Sequence, residues 1–171
     1  MRSTPHPLTT IVAFSRRRPN TEDNRPNTAC GLLVSSFNTV TLDPRPFVSF
    51  NIKRPSSTYD AICQSGSFTA SGIRSVTVTD AFVKSRGINK ALEQIVGEEG
   101  KLKDTKGGTW WMSCRLAKEH CMEVGDHVVV IGQVLDAASY GAENGKGMGL
   151  VYAEGSYRQV GEALSVKAEE G

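Results

Sequence analysis

Gly31-Leu32-Leu33-Val34-Ser35-Ser36-Phe37-Asn38-Thr39-Val40-Thr41-Leu42-Asp43-Pro44-Arg45-Pro46, followed at once by Phe47-Val48-Ser49-Phe50-Asn51-Ile52-Lys53-Arg54-Pro55-Ser56-Ser57-Thr58-Tyr59-Asp60, decides the fold class. Cys30 to Phe37 is an apolar strand that ends in hydroxyls. Pro44 and Pro46 fix a turn and exclude helix there. Phe47 to Ile52 has the character of a second strand with one buried face. Ser57-Thr58-Tyr59-Asp60 matches the capping-box pattern, hydroxyl first and acid three residues later. That spacing predicts a short helix from Thr58 to about Ser65, stopped by Gly66.

Outward from this stretch the chain stays mostly extended. Leu8 to Phe14 is a β-branched run that makes a first strand. Ser15 to Thr28 carries Pro19, Pro26 and three consecutive arginines, and is a loop whose charges face solvent or guide an anionic ligand. Phe68 to Ile73 is another strand. Thr79 is placed to cap a helix through Lys84, and Asn89 to cap a second that Gly97 closes. Lys101 to Gly108 is a charged loop, Trp110 to Leu116 a strand, and Glu123 to Asp126 a turn. His127 to Leu135 is apolar enough to lie centrally in a sheet. Tyr140 to Gly149 is a glycine-rich loop before a final short strand and its exit, Leu150 to Tyr152 and Ser156 to Arg158. About seven strands with short inserted helices, no βαβ alternation and no repeat predict a mainly β domain. A closed or partly closed antiparallel barrel is the natural solution, because closure removes exposed edges. The 171 residues fit one domain, ordered over about 5–158, with a flexible tail over about 162–171.

A hydrophobic fraction of 39% and a net charge of +2 exclude a disordered chain and give no footprint for nucleic acid. The charge is uneven, however. Residues 1–58 carry 8 Lys and Arg against 3 Asp and Glu, a balance of +5, which suits a phosphate-bearing ligand in the half that holds the opening stretch. Cys30, Cys63, Cys114 and Cys121 show no CxxC pair and no zinc spacing, and are expected as reduced, mostly buried thiols. No apolar run approaches the roughly 20 residues of a membrane span. Residues 1–18 hold four arginines and no acid, a weak transit-peptide signal that Pro5 and Pro7 oppose. A cytoplasmic protein is expected, with a mitochondrial one as the lesser alternative.

Two places carry chemistry. A helix start presents unpaired N–H groups and the positive end of its dipole, so Ser56, Ser57 and Thr58, preceded by Lys53 and Arg54, form a metal-free anion site. Ser35 and Ser36 end a neighbouring strand, where their donors meet a polar ring edge. The blander alternative has Ser57 capping the helix and the other hydroxyls in water. The second place is Gly125-Asp126-His127, at the mouth of the central strand. His127 there either positions a substrate or simply bonds to a neighbour. His120 beside Cys121 is no dyad, since dyad partners meet in space. No Ser-His-Asp order, Walker loop, HExxH or GxGxxG is present.

Val34 to Pro46 together with Pro55-Ser56-Ser57-Thr58 resembles the flavin reductase-like family, which binds FMN in a split β-barrel. Gly125-Asp126-His127 followed by Val128 to Val134 is similar to a second signature of that family. Leu150-Val151-Tyr152, Tyr157 and the leading His6-Pro7 extend the resemblance over most of residues 5–158. Leu32 and Leu33 depart from the more polar residues common there, and Thr69 to Ile73 is more polar than usual. The resemblance implies a homodimer with one FMN, or alternatively FAD, per subunit near the interface. It places Val34, Ser35, Ser36, Phe37 and Asn38 along the isoalloxazine and ribityl chain. Ser56, Ser57 and Thr58 take the phosphate, with Lys53 adding charge, and His127 lies near the nicotinamide of NADH or NADPH. The implied function is hydride transfer from nicotinamide to flavin, with a flavin-dependent monooxygenase as partner. The alternative is a flavin-binding electron-transfer or interaction module without nicotinamide turnover. The flavin carries the redox step in either case, so no triad or metal is needed.

Overall fold

The computed structural model describes residues 6–15, 28–85, 96, 108–140, 149–153 and 156–160. Its strands are β1 (His6–Pro7), β2 (Thr9–Ser15), β3 (Thr28–Val34), β4 (Asn38–Thr41), β5 (Phe47–Lys53), β6 (Ser67–Ile73), β7 (Gly108–Leu116), β8 (Met122–Val124), β9 (His127–Ser139), β10 (Leu150–Ala153) and β11 (Ser156–Gln159). Among the described residues two α-helices, α1 (Ser57–Ser65) and α2 (Val76–Ser85), and a 3₁₀ turn at Lys118–His120 are inserted between them. Every pairing is antiparallel. The main sheet runs β3-β2-β6-β7-β9-β5-β4, with β8 on the free flank of β9, and β1-β10-β11 form a small second sheet.

The path of the main sheet begins at β3 and ends at β4, yet those two strands are joined by only Ser35, Ser36 and Phe37. The sheet therefore curls until its two ends meet, and a split remains between β3 and β5. Twist makes this closure possible and leaves few exposed edges. The barrel interior is filled by alternate residues of the strands. On β5 these are Val48, Phe50 and Ile52, and on β9 Val128 and Val130. The next inward position on β9 is Gly132, where a Cβ would stand 2.4 Å from Cζ of Phe68. Phe68 in turn meets Phe50 edge to face at 5.1 Å. Phe37 packs on the same core, 6.5 Å from Phe50 and 5.4 Å from Trp110. A second apolar cluster joins Leu8, Val12, Ile73, Phe82, Val96 and Leu150, with Leu33 packed against it, so α2 lies over β3 on the outer side of the barrel.

Helix α1 plugs the barrel against β2, β3 and β6, burying Thr58, Ala61 and Ile62. Its N-cap is Ser56, whose hydroxyl accepts the Tyr59 N–H at 3.2 Å, one residue earlier than the Ser57–Asp60 capping box predicts. Gly66 ends it in the left-handed region at φ 71°, its N–H bonded to the Ile62 carbonyl.

Several boundaries differ from the sequence expectations. The second strand ends at Val34, and Asn38–Thr41 forms β4. Helix α2 starts at Val76, and Thr79 lies inside it with its hydroxyl donating to the Ser75 carbonyl at 3.2 Å, so Thr79 is no cap. Met122–Val124 is strand β8, leaving Gly125 and Asp126 as a tight turn with Gly125 at φ 59°. The helix expected from Asn89 lies outside the described residues apart from Val96, as do most of the loops over 101–108 and 140–149 and the tail over 162–171. Among the described residues no helix is long and apolar enough to cross a membrane.

Candidate functional site

A cavity of about 690 Å³ opens at the split of the barrel. One wall is the end of β3 and its continuation, Gly31 to Ser36. The opposite wall is the end of β5, Asn51 to Lys53, and the floor is the start of α1, Pro55 to Thr58. His127 at the start of β9 and Phe82 of α2 complete the lining. The volume lies within the roughly 300–1,000 Å³ of small-molecule sites.

The split itself is bridged at one point. The Ser36 hydroxyl accepts the Asn51 N–H at 2.9 Å. The ladder between β4 and β5 begins at Asn38 and Ser49, so Asn51 lies past its end and takes this hydroxyl in place of a strand. At the floor, Tyr59 and Asp60 give their N–H groups to the Ser56 hydroxyl and carbonyl. The amides of Ser57 and Thr58 occupy the first helical positions, for which a helix supplies no acceptor. Since Ser56 caps the helix, the Ser57 hydroxyl is not used for capping. The floor thus joins two backbone donors, three hydroxyls and the positive end of a nine-residue helix.

Charge enters from the β5–β9 end. Lys53 and His127 are direct cross-strand partners. Asp126 binds both: Oδ2 lies 3.3 Å from Lys53 Nζ and Oδ1 lies 2.6 Å from His127 Nδ1. These bonds, that of His127 first and that of Lys53 second, hold the Asp126 carboxyl below the usual carboxylate range. Arg54 does not line the cavity. It stands in the bend after β5, where its guanidinium pairs with Glu123 and lies 5.6 Å from the Tyr59 ring centre.

The structure therefore brings Val34, Ser35, Ser36, Lys53, Ser56, Ser57, Thr58 and His127 to one cavity. Phe37 and Asn38 are placed elsewhere. Phe37 turns inward to the aromatic core, and Asn38 is exposed with its side-chain oxygen accepting the Thr39 N–H at 3.1 Å. Sequence reasoning did not name Leu32, Leu33, Asn51 or Phe82 as lining residues. The leucines and Asn51 are continuous with named neighbours, whereas Phe82 reaches the site only because α2 folds back over β3, which nothing in its local pattern signals. A second cavity of about 440 Å³, between Val12, Thr69, Trp111 and Asp136, has no cation among the described residues that line it.

The sequence matches the flavin reductase like domain over residues 1–161. No curated protein sequence matches it. Among solved structures, the homologue of nitrilotriacetate monooxygenase component B from Mycobacterium thermoresistibile aligns with a TM-score of 0.73 at 20% identity, over 98% of this chain and 88% of that one. The flavin reductase HpaC complexed with NADP+ gives 0.71 at 22%, over 94% and 93%. BorF, the flavin reductase component of a bacterial two-component tryptophan halogenase, gives 0.70 at 19%, over 95% and 94%. At these identities the likeness bears on the fold, and the family match bears on membership. The split antiparallel barrel and the match over residues 1–161 agree: the protein belongs to the flavin reductase-like family of oxidoreductases.

Proposed function

We propose that the protein is an NAD(P)H-dependent flavin reductase that binds FMN across the split of its barrel and passes reduced flavin to a flavin-dependent monooxygenase. The observation that carries this reading is the single cavity that joins the N-terminus of α1, the hydroxyls of Ser35, Ser36 and Ser57, and the cation Lys53. That donor set fits a flavin mononucleotide. Ser57 and Thr58 amides with the hydroxyls of Ser56 to Thr58 receive the phosphate, and Lys53 adds charge complementarity at the rim. Leu32 and Val34 offer an apolar face for the ring, while Ser35 and Ser36 meet its polar edge. Phe37 acts from behind, wedged between Phe50 and Trp110, and so fixes the turn that carries the two serines.

When bound, the flavin accepts a hydride from the nicotinamide, and the chain needs no acid or base of its own for that step. Its residues bind, orient and exclude water. His127 positions the nicotinamide from the β9 end of the same cavity. The neighbours described as a monooxygenase component and a halogenase's reductase component support a partner that consumes reduced flavin, and the NADP+ complex supports a nicotinamide donor. Free thiols at Cys30, Cys63, Cys114 and Cys121 suit the reducing cytoplasm. The edge strand β4 exposes Val40 at 55%, and Leu42 just after it is exposed at 74%, apolar surface that a second copy would cover in a homodimer.

One spectrum tests the proposal. Purified protein titrated with FMN should show a perturbed flavin band that bleaches when NADH or NADPH is added without air. Binding without bleaching would move the protein to the electron-transfer alternative. Failure to bind FMN or FAD would remove the flavin reading altogether.

A further inference from the structure

We propose that Asp126 is a positioning residue that fixes the tautomer of His127 and holds Lys53 at the mouth of the cavity, leaving His127 Nε2 as an acceptor for an amide N–H₂ such as the nicotinamide carboxamide. This rests on the reading of the cavity as a flavin and nicotinamide site.

The geometry is specific. Lys53 and His127 face each other in the β5–β9 ladder, and the turn at Gly125 and Asp126 folds over both. The Asp126 main chain is fixed there by its carbonyl, which accepts the Arg54 N–H at 2.8 Å. Its carboxylate is then divided, one oxygen on His127 Nδ1 at 2.6 Å and the other on Lys53 Nζ at 3.3 Å. A carboxylate only accepts, so the contact assigns a proton to Nδ1. In the neutral ring Nε2 is then left with a lone pair. The same logic orients metal-bound histidines, where a carboxylate on one ring nitrogen sets what the other does.

The surrounding charges leave this arrangement undisturbed. On the β5 side Arg54 is paired with Glu123 of β8, so neither competes for Asp126. Lys53 and His127 are the titratable groups in the cavity lining. All three partners are partly open to solvent, with side-chain exposures of 71% for Lys53, 62% for Asp126 and 45% for His127, so the bridge adds little to folding stability. Its consequence is orientation.

Two substitutions separate the roles. Asp126→Asn keeps an oxygen for His127 Nδ1–H and loses the charge on Lys53; Asp126→Ala loses both. Nitrogen NMR of the histidine ring reads the tautomer directly and needs no turnover. The wild type and Asp126→Asn are expected in the Nδ1–H form, with Asp126→Ala shifted toward Nε2–H. In steady-state assays Asp126→Ala should raise the KM for the nicotinamide by about tenfold, the worth of one hydrogen bond, with kcat nearly unchanged. Asp126→Asn should recover most of that loss, and Asp126→Ala placed on His127→Ala should add nothing further. An unchanged tautomer in Asp126→Ala, or an Asn variant as impaired as the Ala variant, overturns the positioning role. A wild type that binds flavin but oxidises no nicotinamide overturns the carboxamide assignment and the reductase reading together, and the ring signals still decide whether Asp126 sets the tautomer.

Discussion

Ser36 and Asn51 close the barrel where no ladder does: the hydroxyl of one accepts the backbone N–H of the other at 2.9 Å across the split. The bond ties the wall of the cavity that carries Ser35 to the wall that carries Lys53. Its loss should therefore affect the site more than the fold. Ser36→Ala is expected to lower unfolding free energy by only about 0.5–1 kcal/mol, since water can reach the freed N–H. The Kd for FMN should rise by more than that stability change alone explains. Urea denaturation and flavin titration on the same sample check this, and equal FMN affinity would mean that the two walls stay in place without the bond.

The phosphate floor makes a separate prediction. Ser57→Ala combined with Thr58→Ala should weaken FMN binding by about 1–3 kcal/mol, from lost bonds to a charged group. Thr58 is 1% exposed, so the control is Thr58→Ser, which keeps the hydroxyl and should keep the affinity. Riboflavin, which lacks the phosphate, should bind the wild type and the double variant equally. If FMN and riboflavin lose affinity alike, the phosphate lies elsewhere.

How far the sequence reveals all this depends on which force shapes each element. Strand β5 is legible because its buried residues alternate strictly, and the first half of β9 because Val128 to Ile131 is an unbroken β-branched run. The second half, Asp136 to Ser139, has little strand character of its own and is extended because Trp110 to Ser113 pair with it. Helix α2 is misread at its start for the converse reason. Val76, Thr77, Val78 and Thr79 are β-branched and weak helix formers, and their helix forms because Phe82 packs into the second core cluster. At the site, the serines and His127 announce themselves by chemical type and spacing. Phe37 looks like one of them in sequence, but it occupies an inward position of the turn, and only the packing of Phe50 and Trp110 reveals it.

Gly132 marks a tight point of the core. A methyl group there would stand 2.4 Å from Cζ and 2.7 Å from Cε1 of Phe68, which is itself only 3% exposed. Gly132→Ala should destabilise the fold by about 1–3 kcal/mol through overpacking. Because the obstacle is one side chain, Phe68→Leu should be less costly in the Gly132→Ala background than in the wild type. A double-mutant cycle by chemical denaturation measures this, and simple additivity would show that the strain is relieved by the backbone instead.

Cys114 links the same core to pH. It is fully buried in β7, and burial pushes its thiol from the ordinary 9.0 up to about 12. Below pH 9 the thiol is protonated in both folded and unfolded chains, and its contribution to stability is fully present. As pH rises from 9 toward 12, the unfolded thiol ionises while the folded one keeps its proton, so stability is lost over that window. Cys30 and Cys121 are raised by burial as well, and Tyr59 is pushed up to about 12 by burial and then by its bond to Cys63, so these groups act in the same direction. Wild-type unfolding free energy should therefore fall steeply above about pH 9. Cys114→Ala should start less stable at neutral pH, because it leaves a small void, yet lose stability more slowly on the alkaline side, by about one proton in the slope near pH 10. Denaturation midpoints at a series of pH values for both proteins check the difference in slope. Parallel curves would assign the alkaline loss to the other thiols and Tyr59.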